Sequence, residues 1–348
     1  MKKLFFASDY QEGMTPEILD QLIATNLTPV TGYGTDAYCE SARKKIREAC
    51  GSEEADVYFI SGGTQTNAVV IGAVLRGYEG VIAADTGHIS LHEAGAIEYT
   101  GHKVLTVPGE KGLLKADALQ EYLEGFYNDA NHDHMVQPGM VYISQPTEYG
   151  TLYSRSDLLA LREVCDTYGL PLYLDGARMA YALACSENDV SLEDLAKLTD
   201  LFYIGGTKCG AIIGEALVVV NRGLVPHLFT TIKQRGALLA KGRLPGISFD
   251  TLFTDGLYTR LGTHALEMAE QIRQALRENG WQFFFETATN QIFVVVNQET
   301  LAKLDETVVY SFWEPYDETH TVIRFATSWA TPQQDVDQLI GLIRTLSA

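Results

Sequence analysis

An α/β fold with a mostly parallel sheet, followed by a smaller α+β C-terminal domain, is predicted by three features of the sequence. Short β-rich runs alternate with helical stretches through the first two thirds of the chain. Several of those runs are apolar without alternation, as strands are when helices cover both faces of a sheet. From Arg243-Leu244-Pro245-Gly246 onward the texture changes to a long helical stretch and then alternating strands. With 348 residues the chain can build one large core and a second, smaller one.

Taken in order, residues 15–26 open with Thr-Pro, a cap followed by proline in the first turn of a helix. The strand candidates are DVYFISGG, VIAADTG, KVLTVP, MVYISQ, LYLDGA, LFYIGGT and EALVVVN. Between them, residues 154–168 read as a helix capped by Ser154 and stopped by Gly169-Leu170-Pro171. The polar stretch NDANHDHMVQPG reads as a solvated connection. Further on, residues 249–279 read as one long helix, QIFVVVN and TVIRFATSW as half-buried antiparallel strands, and a closing helix begins at Thr331-Pro332. The predicted division is an N-terminal segment (1–30) packing on the small domain, a large domain (31–245) and a small C-terminal domain (246–348).

Composition narrows the function. With 46% apolar and 20% charged residues, the chain is neither disordered nor a disulfide-built miniprotein. Its 26 basic against 45 acidic residues give a net charge of −19, which argues against a nucleic-acid partner. The five cysteines are odd in number and lack CxxC spacing, so reduced thiols in a cytoplasmic protein are expected. The start, MKKLFFASDY, is too short in apolar residues for a signal peptide. No run approaches the roughly 20 apolar residues of a membrane helix, so no membrane partner is expected.

The chemistry sits at predicted strand ends, where open α/β sheets bind ligands. The run Tyr173-Leu174-Asp175-Gly176-Ala177-Arg178 ends a strand at an aspartate, and LFYI ends in Gly205-Gly206-Thr207-Lys208-Cys209-Gly210. A structural lysine more often lies on a helix face with its head in water. A nucleotide-binding loop needs G-x-x-x-x-G-K-[ST], and Thr207 and Cys209 flank the lysine instead. Pyridoxal phosphate (PLP) asks for a lysine to bond its aldehyde, an acid opposite its ring nitrogen and a phosphate cup. Lys208 and Asp175 supply the first two. Gly62, Gly63 and Thr64, in SGGTQTN, end the strand DVYFI and open a helical run whose N–H groups form an anion site. Alone, Gly-Gly-Thr is as readily an ordinary turn; with Asp175 and Lys208 at two further strand ends it points to the cofactor.

His88 follows the strand VIAAD. A lone histidine is more often structural, yet here it can stack on a cofactor ring and move protons. His88 and His92 have the i, i+4 spacing of a metal pair, but no third ligand and no HExxH accompany them. His132-Asp133-His134 reads as polar loop. No metal is expected.

Together FASDY, TGYGTD, SGGTQTN, DTGHIS, DGAR and GGTKCG resemble the motifs of the low-specificity L-threonine aldolases, in the aspartate-aminotransferase-like class of PLP enzymes, over most of the chain. The resemblance implies a PLP-transferase-like three-layer αβα large domain. It implies that Lys208 bonds the cofactor, Asp175 faces its ring nitrogen, His88 stacks on the ring, and Gly63 and Thr64 cup the phosphate. Arg178 is implied on the cofactor and substrate carboxylate side, and Arg324, in VIRFATSW, as the grip on the substrate carboxylate, with Ser8 and Tyr33 also against substrate. Bidentate geometry explains an arginine there. On its own, Arg324 could equally be a surface strand residue, although Ile323 and Phe325 flank it. The run IKQRGALLAKGR resembles the family's basic segment that reaches a neighbouring subunit's phosphate, with Arg235, Lys241 and Arg243 as candidates. Shared active sites imply a homo-oligomer, at least a dimer, with a tetramer expected.

One departure matters. Where the family often carries Thr-His-Asn-Gly, this chain has Thr147-Glu148-Tyr149-Gly150. A carboxylate serves as a base when burial raises its pKa, which leaves His88, Glu148 or a bound water as the base. The expected activity is a PLP-dependent lyase that cleaves the Cα–Cβ bond of a small β-hydroxy-α-amino acid such as L-threonine or L-allo-threonine. β-Elimination, transamination and serine hydroxymethyl transfer share Lys208 and Asp175. A non-catalytic scaffold is the remaining reading, against which the intact lysine, aspartate and phosphate loop weigh.

Overall fold

The computed structural model describes residues 3–346. Its larger sheet has seven strands: β2 (Asp56–Ile60), β3 (Glu79–Ala84), β4 (Val104–Val107), β5 (Gln137–Ser144), β6 (Leu172–Asp175), β7 (Leu201–Gly205) and β8 (Glu215–Val219). They lie in the order β2-β8-β7-β6-β5-β3-β4. The neighbours from β7 to β4 pair in parallel, whereas β8 runs antiparallel to both β7 and β2. All seven predicted strands are thus present in one mostly parallel sheet.

Helices cover both faces, and the pleat sorts the side chains between them. Val141, Ile143, Leu172, Leu174, Phe202 and Ile204 pack into the core on one face. Met140, Tyr142, Tyr173, Leu201 and Tyr203 pack into the core on the other. A run such as LFYI is therefore apolar throughout yet still has period two. The helix Arg155–Tyr168 shows how its sequence sets its ends: Ser154 and Asp157 form a reciprocal cap, and Gly169 closes it with φ 66°. It buries Leu158, Leu161, Val164 and Cys165, at about 1.5–3 kcal/mol for each large apolar side chain. All five cysteines are free and buried.

The C-terminal part holds an antiparallel sheet of four strands, ordered β12-β13-β10-β9: β9 (Gln282–Phe285), β10 (Gln291–Asn297), β12 (Ser311–Pro315) and β13 (His320–Ala326). Near the N-terminus, β1 (Leu4–Phe5) pairs in parallel with β11 (Val308–Val309). Ile292, Val294, Ile323 and Phe325 meet the helices Leu257–Glu278 and Gln333–Thr345 in a separate core.

Two expectations change here. The single helix read across 249–279 is two helices, Arg243–Leu252 and Leu257–Glu278, because Asp255 and Gly256 take φ 48° and 68°. β10 is buried on both faces from Gln291 to Val296, not half-buried. Its second face packs Phe293, Val295 and Val322 against Phe285 and Trp313, an aromatic layer that leads to the site below. Among the described residues, no helix is long and apolar enough to cross a membrane.

Candidate active site

The C-terminal ends of β3, β5, β6 and β7 converge at a cavity of about 390 Å³ whose walls include Tyr10, His88, His92, Glu148, Arg178, Lys208, Trp313 and Arg324. Five residues singled out in the sequence thus meet in one wall, from segments up to β13. Asp175 ends β6 just beneath them and is buried.

Four donors surround Asp175. Tyr203 Oη donates to Oδ1 at 2.5 Å and the Ala177 N–H at 3.0 Å; Tyr142 Oη donates to Oδ2 at 2.7 Å and Asn67 Nδ2 at 3.1 Å. Burial pushes this carboxyl up, but His88 and the bonds from Tyr203, Tyr142 and Asn67 outweigh it and hold Asp175 below the usual carboxylate range. Burial raises both phenols well above their ordinary values, so they remain donors.

Lys208 lies in the tight connection between β7 and β8, which presses against the segment after β6. A Cβ on Gly205 would stand 2.2 Å from the Ala177 carbonyl oxygen, so no larger residue fits. The Nζ of Lys208 sits 5.9 Å from the Tyr10 ring centroid, and among the described residues no carboxylate lies within ion-pair distance of it. Burial and the Arg178 charge lower its pKa, against the pull of Asp9, Asp175 and Glu215. A lowered amine is a better nucleophile at neutral pH. Glu215, at the start of β8, accepts from the Gly206 N–H at 2.9 Å, and burial lifts its carboxyl to about 7.

Two guanidiniums complete the wall. Arg178 is paired side-on with Asp9, Nε to Oδ2 at 2.6 Å and Nη2 to Oδ1 at 3.1 Å, and Asn290 Nδ2 reaches the same Oδ2 at 2.9 Å. Among the described residues Arg324 has no such acid. Its Nη1 donates to Gln291 Oε1 at 2.8 Å and its Nη2 to the Ala7 carbonyl at 3.0 Å, while its Nε is buried without a partner among the described residues. Burial and Arg178 lower its pKa to about 10. A half-buried guanidinium with no carboxylate partner among the described residues is a seat for an anion.

Glu148 Oε1 accepts from the His88 N–H at 3.1 Å and from Ser144 Oγ at 2.9 Å; burial raises its pKa, with the His88 charge opposing. The His88 Nδ1 lies 2.8 Å from Glu93 Oε1. Gly63 and Thr64 open the helix Gly63–Val74, whose start has no side-chain cap, so its first N–H groups are free for an anion. A Cβ on Gly63 would stand 2.9 Å from Tyr203 Oη, and one on Gly62 would meet open space.

The other predicted residues lie outside the cavity wall. Ser8 adjoins Asp9. Tyr33 takes φ 59° and carries Lys233 over its ring at 4.4 Å. Arg235 packs on Gly72, where a Cβ would meet its Nη2 at 2.8 Å. Lys241 and Arg243 line a different cavity of about 500 Å³ with residues of the 26–32 stretch, and Arg243 donates to the Thr25 and Thr28 carbonyls at 2.7 Å each. Asn67, Glu93, Tyr142, Tyr203, Trp313 and the Arg178 partner Asp9 were not foreseen as site residues, although Asn67 and Asp9 fall inside quoted motifs.

The donor set fits PLP: an amine and a guanidinium each without a carboxylate partner among the described residues, an ionised carboxylate beneath and an uncapped helix start.

The chain is similar to known proteins over nearly its whole length. The family model for beta-eliminating lyases matches residues 6–299. The chain is 29% identical to a low specificity L-threonine aldolase of Pseudomonas sp. (strain NCIMB 10558), covering 98% of this chain and 97% of that protein. A solved structure of a Leishmania major threonine aldolase superposes with a TM-score of 0.95 at 42% identity, covering 99% of each chain. A Thermus thermophilus aspartate aminotransferase mutant shares the fold, with a TM-score of 0.73 at 12% identity over 99% of this chain and 91% of that one.

Proposed function

The chain belongs to the beta-eliminating lyase family, among its threonine aldolases, and from that premise we propose that it is a PLP-dependent lyase that splits L-threonine or L-allo-threonine at Cα–Cβ into glycine and an aldehyde. The observation that carries the reading is that Lys208 and Arg324 share one wall with His88 and Glu148, above Asp175. When bound, the cofactor supplies a conjugated, electron-withdrawing ring to receive the electrons of the breaking bond.

The chain's own residues account for the rest. Lys208 supplies the amine that holds the cofactor, and Asp175, kept ionised by its four donors, keeps a proton on the ring nitrogen. The uncapped helix start at Gly62, Gly63 and Thr64 receives the phosphate. Arg324 takes the substrate carboxylate, with Arg178 beside it and Ser8 bordering; Tyr33, outside this cavity wall, would serve a neighbouring subunit's site. Held at that end, the substrate has one bond aligned for cleavage, and such positioning is worth roughly 7–11 kcal/mol of barrier. His88, on the cavity wall, would pack against the cofactor ring and would accept the β-hydroxyl proton. Glu148, bonded to the His88 backbone, supports the charge the imidazole then carries.

The reading extends to organisation. An N-terminal segment (1–30), a large cofactor domain (31–245) and a small domain (246–348) accord with the placement of the two larger sheets, within residues 56–219 and 282–326. A homo-oligomer, dimeric with shared sites and assembled to a tetramer, is supported by the exposed Ile23, Leu27, Tyr33 and Phe229 near the basic residues Arg235, Lys241 and Arg243, which would serve a neighbour's phosphate. A cytoplasmic setting accords with the five free thiols.

The test is an assay of the PLP-loaded protein on β-hydroxy amino acids, reading glycine and aldehyde together. Ammonia with a 2-oxo acid, in place of those products, would establish β-elimination, the second reading that the family description favours.

A further inference from the structure

Glu93 takes no part in the chemistry above, yet it is the acid nearest the ring of His88. Its side chain is wholly buried. One oxygen, Oε1, lies 2.8 Å from His88 Nδ1 and also accepts from Asn67 Nδ2 at 2.7 Å. The other, Oε2, is buried with no partner among the described residues. Asn67 is itself held. Tyr173 Oη donates to its Oδ1 at 2.8 Å, and its second N–H reaches Asp175 Oδ2 at 3.1 Å. A flipped amide would turn its oxygen toward two carboxylates and its NH₂ toward a phenol that burial keeps protonated. The amide therefore has one orientation.

We propose that Glu93 and Asn67 are positioning residues that lock His88 in the tautomer with hydrogen on Nδ1, so that Nε2 faces the cavity as a bare acceptor for the substrate hydroxyl. An oxygen that already accepts an amide hydrogen presents lone pairs, so the contact at 2.8 Å needs its hydrogen on Nδ1. A neutral imidazole carries one N–H; placing it there leaves the lone pair on Nε2. Through Asn67, the same hydrogen-bonded chain links His88 to Asp175. The identity of the hydroxyl rests on the reading above; the tautomer does not.

The full-length protein, with PLP and after its removal, is labelled with ¹⁵N-histidine, and the His88 signals are assigned by their loss in His88→Gln. On the neutral ring a protonated Nδ1 and a bare Nε2 are expected. Glu93→Leu removes the acceptor and should leave the hydrogen shared between the two ring nitrogens, whereas the Glu93→Gln carbonyl can take the Oε1 place, accept from both Asn67 and His88 and keep the parent tautomer; Tyr173→Phe, a milder change that frees the Asn67 amide, should also give a mixture. Hydrogen on Nε2 of the neutral ring in the parent protein, or an unchanged tautomer in both Glu93→Leu and Tyr173→Phe, overturns the proposal. In turnover, Glu93→Leu should lower kcat at least ~10-fold with KM little changed, and should add no loss to His88→Phe. Losses that simply add overturn the route through His88. Absence of threonine cleavage in the parent protein would sink the proposed reaction and leave the spectroscopic result standing.

Discussion

Arg178 and Asp9, 169 residues apart in the sequence, meet side-on in a buried corner of the cavity, with two hydrogen bonds between guanidinium and carboxylate. Burial alone would raise the Asp9 carboxyl; Arg178 and Lys208 hold it at about 2, below its ordinary 3.8. A carboxyl depressed on folding stabilises the native state above its unfolded pKa, and that contribution is lost as pH falls through the folded value. Asp9 should therefore contribute about 2 kcal/mol at neutral pH, disappearing between about pH 4 and pH 2. Asp9→Asn should cost about 3–5 kcal/mol at pH 7 by leaving Arg178 buried and unpaired, and should flatten the acid dependence. Urea unfolding at a series of pH values checks both.

Lys208→Ala should leave a folded protein without the visible absorbance of bonded cofactor. Turnover should fall by ~10³-fold or more, the scale on which a positioned reactive group acts. Absorbance spectra after dialysis against free PLP, with an aldehyde assay, give the result. A variant that keeps both colour and activity would remove Lys208 from the chemistry.

Removing the Arg324 guanidinium should show in KM before kcat. Arg324→Leu deprives the substrate carboxylate of a charge-assisted partner, worth about 1.5–3 kcal/mol, or roughly 10- to 150-fold. It also strands Gln291 Oε1, which now accepts from Nη1. Steady-state kinetics on threonine, beside an amine substrate analogue that lacks the carboxylate, separates substrate grip from general damage.

For Glu148 the sign of the pKa shift sets the pH dependence. Burial raises its carboxyl above 4.5, so ionisation in the folded site comes at higher pH than for a free glutamate. The ionised form supports the charge on His88, and activity should rise with pH through that raised value. In Glu148→Gln the limb should vanish and kcat should drop about tenfold, or ~1.4 kcal/mol of barrier. pH–rate profiles of the two proteins decide it.

Much of this site was legible because its reactive residues stand at strand ends, and strand ends are visible as places where apolar runs stop. Lys208, Asp175 and His88 were found that way. Their supports were not, because a tyrosine in a strand such as Tyr142 or Tyr203 reads only as an apolar position; that its hydroxyl meets Asp175 is a fact of sheet order. Glu93 lies in a loop with no periodicity to place it. The antiparallel course of β8 was hidden too, since an apolar run has no direction. The break between the two C-terminal helices was signalled by Thr254-Asp255-Gly256, where a turn dipeptide outweighs helical periodicity.

That reversed strand has a mechanical consequence for the lysine. Because β8 turns straight back, the backbone on either side of Lys208 is clamped: the Gly206 and Thr207 N–H groups both donate to the Gly214 carbonyl at 3.1 Å, and the Gly214 N–H returns to Thr207 Oγ1 at 3.0 Å. The amine is a flexible arm on a fixed shoulder. If that amine holds and then releases a cofactor, these backbone bonds would leave the movement to the methylene stem.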